Sequence, residues 1–101
     1  MVKIRWTELA SNDLDAIRIY ISRDSKRYAI RLVKSLINAT AKLESMPFLG
    51  RMVPEFEIQE LREIIHNNFR IIYIIKSNKD IDILAVMHSS REIRNLISYR
   101  L

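Results

Sequence analysis

The chain has no cysteine and one glycine among its 101 residues. Without cysteine there is no disulfide framework and no thiolate metal site, and with one glycine there is no glycine-rich phosphate loop. Aromatic residues are sparse at 8%. No apolar run exceeds Ile71–Ile75, far short of the roughly 20 residues of a membrane helix. Residues Met1–Trp6 lack the long apolar region of a signal peptide, so a cytosolic protein without a membrane partner is expected. His66 and His88 are the only histidines and have no close set of carboxylates, so neither metal nor other cofactor is expected. Ser89-Ser90 follow His88 without the strand-to-helix elbow or oxyanion site that a hydrolase needs.

What remains is 49% apolar and 29% charged, the profile of a folded chain, and residues 1–101 are read as a single domain. The formal charge of +5 and pI near 9.8 favour acidic partners, with nucleic acid among them. The last half carries the most information. There Arg51, Arg62, Arg70, His88 and Arg91 punctuate runs that are otherwise rich in Ile, Val, Leu and Tyr. A buried charge is costly unless paired. These arginines therefore either meet acids inside the protein or line a face that takes an anion.

Periodicity supplies the frame. Residues 3–6 alternate as a short strand. Thr7 suits an N-cap for a helix that buries Ala10, Leu14, Ile17 and Ile21 and ends near Arg23 or Asp24, with early acids including Asp13 at its dipole's positive end. Ser25 suits a second cap, before an apolar stripe through Ala29, Leu32, Val33, Leu36, Ile37, Thr40 and Leu43. Lys26, Arg27, Arg31, Lys34 and Lys42 lie away from that stripe, as solvated surface or as a contact for RNA or an acidic partner. Residues 45–54 hold the glycine and both prolines and read as a connector. Three strands follow, 58–66, 69–76 and 81–88, joined by Asn67-Asn68 and by residues 77–80. Residues 90–99 suit a short last helix. The predicted fold is α+β, in the order β-α-α-β-β-β, with a helical hairpin on a mainly antiparallel four-stranded sheet.

A two-residue turn at Asn67-Asn68 sets Arg62 opposite Tyr73, and a tight second turn sets His88 opposite Phe69. Strict alternation puts these four on one partly open face with His66 and Asp82. It puts Ile65, Ile72, Ile74, Ile83, Ala85 and Met87 against the helices.

In order and spacing, Trp6-Thr7 with Asp13-Leu14, Pro47 with Gly50-Arg51, Val53-Pro54-Glu55, Leu61-Arg62-Glu63-Ile64, Phe69-Arg70-Ile71-Ile72-Tyr73 and Val86-Met87-His88 before Arg91 resemble the RelE/ParE superfamily of bacterial toxins. The resemblance implies a growth-arresting toxin of a type II toxin–antitoxin system, of the kind associated with plasmid stabilization. It implies a cognate antitoxin as partner, with operator DNA bound only through the complex. Two activities share the fold. ParE-like members poison DNA gyrase; RelE-like members are metal-independent endoribonucleases that cut mRNA on the ribosome. In the second case Arg62, Arg70, His88 and Arg91 are the candidate catalytic residues, arginines gripping phosphate and His88 exchanging a proton. Arg70, His88 and Arg91 then mark the anion-binding sheet end. Ile64 stands where the ribonuclease branch has a second strand Lys, and Tyr99 is displaced from its C-terminal Tyr. Both departures favour gyrase poisoning over an mRNA interferase. An inactive homologue kept as an antitoxin-binding module is the third reading.

Each candidate also has a structural alternative. Arg62 pairs with Glu60 or Asp82, Arg70 bonds backbone carbonyls, Arg51 clamps the connector through Glu55 or Glu57, and His88 is a satisfied structural histidine.

Overall fold

Residues 2–101 are described by a computed structural model. Strand β1 (Ile4–Trp6) leads into α1 (Glu8–Ser22), where the Thr7 side chain accepts the Ala10 N–H at 3.2 Å. After α1, the Ser25 side chain accepts the Tyr28 N–H at 3.1 Å and starts α2 (Lys26–Ala39). Both caps satisfy N–H groups that a helix start leaves without partners. A 3-10 turn (Ala41–Glu44) ends the helical half. Strands β2 (Arg51–Met52), β3 (Leu61–His66), β4 (Phe69–Ile75) and β5 (Ile81–His88) follow, then α3 (Arg94–Arg100).

The sheet order is β1-β5-β4-β3-β2, with β1 parallel to β5 and every other pair antiparallel. The fold is thus α+β as expected, with one strand more than the predicted four. The extra strand is cut from the connector, where Arg51 and Met52 pair with Glu63 and Arg62. Asn67 and Asn68 both adopt positive φ, 47° and 67°. A two-residue hairpin turn of this twist requires that geometry, and Asn tolerates it. The expected pairs Arg62 with Tyr73 and Phe69 with His88 are both present.

The assignment of faces is corrected. The hairpin α1–α2 packs on the face that carries Phe69, Ile71, Tyr73 and Ile75, together with Ile64. That is the face expected to stay open. The opposite face, with Leu61, Ile72, Ala85 and Met87, is covered by Val53, Phe56 and the Ile93, Leu96 and Ile97 side of α3. Two physical causes account for this. A bulge shifts the β4–β5 register between Ile72 and Tyr73, so Ile83 and Val86 both face the hairpin and Asp82 falls on the opposite side from His88. The Tyr73 hydroxyl also reaches a backbone carbonyl, which lets a tyrosine serve as core.

Candidate functional site

The arginines divide into two groups. On the α3 face of the sheet, Glu63 is 1% exposed and has both oxygens bonded, Oε1 accepting from Arg70 Nε and Oε2 from Arg51 Nε, each at 2.6 Å. Strand pairing creates this contact. Arg51 lies directly opposite Glu63, and Arg70 lies diagonally across on β4. Arg70 continues to Glu55 in the connector, with Nη1 and Nη2 each donating to a separate carboxylate oxygen at 2.9 Å. Such paired, charge-assisted bonds are the strong ones. The Arg70 guanidinium holds the Glu55 carboxyl down at about 2, against the partial cost of burial. Hydrogen bonds to Glu55 likewise raise Arg70, against burial.

Arg62 is on the other face of β3. Its Nε donates to the Gln59 carbonyl at 2.8 Å and its Nη1 to the Gly50 carbonyl at 3.1 Å, while the guanidinium stacks 4.8 Å from the Phe48 ring centre. Gly50 N–H donates to the Tyr73 hydroxyl at 2.9 Å, and that hydroxyl donates to the Pro47 carbonyl at 2.8 Å. Gly50 is required by closeness: a Cβ there would lie 2.5 Å from the Glu63 carbonyl oxygen. Burial pushes the Tyr73 phenol up.

His88 and Arg91 stand apart from both clusters. They line the rim of a cavity of about 430 Å³ between α1 and the sheet end, whose walls include Ala16, Ile17, Tyr20 and Phe69. His88 is exposed and packs its ring edge-on to Phe69 at 5.8 Å. Its Nδ1 accepts the Ser90 N–H at 3.2 Å and lies 2.7 Å from the Ser90 hydroxyl, so the neutral ring carries its proton on Nε2. Arg91 is exposed and makes no ion pair among the described residues.

The four residues named for RNA cleavage are therefore not gathered in one site. His88 and Arg91 share a rim. Arg62 sits four residues along β3 from the hairpin turn, about 13 Å from that end at strand rise, and β4 separates β3 from the strand of His88. Arg70 is at the same sheet end as His88 but on the opposite face, with its head between two glutamates. Its partners are those acids and not the carbonyls considered for it. Arg51 does clamp the connector, through Glu63 instead of Glu55 or Glu57. Arg62 pairs with carbonyls instead of Glu60 or Asp82. Tyr99 is 86% exposed on α3 and does not line the cavity.

One cluster was not expected from the sequence, in which Asp13 stood only as an early helical acid and as part of the family resemblance. Asp13 Oδ2 accepts the Val86 N–H at 3.0 Å and a bond from Arg100 Nη1 at 2.6 Å, and Arg100 also donates to the Leu84 carbonyl at 2.9 Å. Strand β1 pairs only with Ile81–Ile83, so the rest of the β5 edge lacks a neighbouring strand there. Asp13 and Arg100 supply an acceptor and a donor in its place. Among the described residues, no helix is long and apolar enough to cross a membrane, and no group of three His, Cys, Asp or Glu is placed to hold a metal.

Similarity to other proteins follows this architecture. The model of the ParE toxin family, from type II toxin–antitoxin system parDE, matches residues 4–93. A Sinorhizobium fredii protein named "Putative toxin Y4kP" is 32% identical over 90 residues, covering 89% of this chain and 91% of that protein. A solved chain from the chromosomal ParDE system of P. aeruginosa superposes with a TM-score of 0.71 at 25% identity, covering 87% of this chain and 96% of that one. A chain of the Mycobacterium tuberculosis toxin–antitoxin complex RelBE2 gives 0.63 at 20% identity, covering 86% and 96%, a likeness of fold alone. With the family match spanning most of its length, the chain belongs to the ParE toxin family of type II toxin–antitoxin systems.

Proposed function

We propose that this toxin arrests bacterial growth by binding DNA gyrase and trapping it on cut DNA, without cleaving RNA, and that a cognate antitoxin silences it. The observation that carries this reading is the state of Arg70. A ribonuclease without a metal needs cations free to take the charge that develops on phosphate. Arg70 is only 6% exposed, and each of its three nitrogens already donates to a carboxylate. A phosphate would have to displace two glutamates, leaving the buried Glu63 with Arg51 as its one remaining partner and the partly exposed Glu55 without an ion pair. Ile64 and the outward Tyr99 offer no replacement acid or base. A poison that acts by binding needs a surface and no reactive centre, so it tolerates all three features.

Purified toxin is to be incubated with gyrase, supercoiled plasmid and ATP, and the reaction stopped with detergent and protease. Linear DNA that rises with toxin concentration is the expected product, with no codon-spaced cuts by primer extension on an abundant mRNA from induced cells. Codon-spaced cuts without DNA breaks would return the assignment to the rim of His88 and Arg91. Antitoxin binding with neither lesion and no growth arrest would leave only a regulatory module.

A further inference from the structure

Helix α2 carries Lys26, Arg27, Arg31 and Lys34 and no acidic residue, so its +4 is most of the chain's formal +5. Elsewhere Arg5, Arg18, Arg51, Arg70, Lys76 and Arg100 have carboxylate partners, and the cations without one among the described residues are scattered over several elements instead of aligned on one. None of the four on α2 forms an ion pair among the described residues, and all are exposed. Their placement is ordered. Arg27, Arg31 and Lys34 recur at i, i+4 and i+7, on the side opposite the buried Ala29, Leu32 and Leu36. They form one stripe about 10 Å long at helical rise.

We propose that this stripe binds the phosphate backbone of duplex DNA, giving the toxin a DNA contact of its own beside its contact with gyrase; this rests on the gyrase reading above. Exposed Arg and Lys without ion pairs on a convex helix suit phosphates, which supply charge without requiring a pocket. The stripe itself presents no aromatic or apolar anchor of the kind that centres a protein–protein interface, which argues against an acidic protein as the occupant. The half-exposed Ile30 and Ile37 lie to one side of the stripe, where they do not interrupt its charge.

The test is fluorescence anisotropy of a short labelled duplex with purified full-length toxin across a salt series. Three phosphate contacts give a log affinity that falls against log salt with a slope of about −3. The variant Arg27→Gln/Arg31→Gln/Lys34→Gln, with its melting curve as a check on folding, is expected to bind roughly tenfold or more weakly with a slope near zero. Salt-insensitive binding by the native toxin, or native affinity in the variant, overturns the proposal. So does preferential binding of an RNA duplex over DNA, and so does a variant that keeps its DNA affinity but no longer binds antitoxin. Should the variant misfold, single substitutions, each lowering the slope by about 1, carry the same test. No gyrase is present in the anisotropy measurement, so a failure there leaves the gyrase reading standing or falling on DNA breaks alone.

Discussion

Glu63 is the residue on which most of the arginine chemistry depends. It is buried, and its two oxygens are divided between an exposed arginine on β2 and a buried one on β4. Truncating a partner of a buried pair leaves the other charge without compensation, at a cost of roughly 3–5 kcal/mol. Arg70→Ala is therefore expected to lose about that much stability by urea denaturation, whereas Arg51→Ala, from an exposed side chain, should lose about 1 kcal/mol or less. Glu55 adds a pH dependence with a definite sign. Its folded value of about 2 lies below the ordinary 4.5, so its contribution is complete above the ordinary value and disappears as pH falls through about 2. Denaturation midpoints should fall between neutral pH and about pH 3 in the native protein, and by less in Glu55→Gln. Gly50→Ala tests crowding in place of charge. Its added methyl meets the Glu63 carbonyl and the Tyr73 hydroxyl, so about 1–3 kcal/mol should be lost.

At the scale of elements, the hook between Asp13 and Arg100 joins α1, the uncovered edge of β5 and the C-terminal helix. Asp13→Ala should remove the acceptor for Val86 N–H and leave Arg100, nearly buried, without a carboxylate and with only the Leu84 carbonyl, costing roughly 2–4 kcal/mol. Hydrogen exchange at the Val86 amide should speed up more than at Ile71 in the middle of β4. Local chemistry made many elements legible in the sequence: Thr7 and Ser25 cap as their side chains allow, and Asn67-Asn68 turns as its tolerance of positive φ permits. The bulge was not legible, because a single extra residue leaves no mark in Ile81–His88 and yet moves Asp82 and Ile83 across the sheet. Strand β2 was hidden for a related reason. Two residues between a glycine and a proline have no period, and they pair because Glu63 and Arg62 are already in place opposite.

For the molecule as a whole, the question is whether its arginines serve the fold or a target. Sequence order was enough to place the chain among the toxins, and Ile64 with Tyr99 already pointed away from a nuclease. It was silent on Arg70, because the pairing of Glu55 with Arg70 joins residues 15 apart through a connector that has no periodicity. A double substitution separates the two roles. Replacing a buried ion pair by apolar side chains of similar volume is often neutral or stabilising, unlike removal of one partner. Glu63→Met/Arg70→Met removes the pair together, leaves Arg51 in solvent and leaves Glu55 in its partly exposed position. If Arg70 is structural, this protein should stay within about 2 kcal/mol of the native stability and still arrest growth on induction. If Arg70 instead grips a phosphate in the reaction, growth arrest should vanish although the melting transition persists. Induction growth curves read beside thermal melts of the same variant, with Arg70→Ala as the destabilised reference, distinguish a toxin that has lost its fold from one that has lost a phosphate ligand.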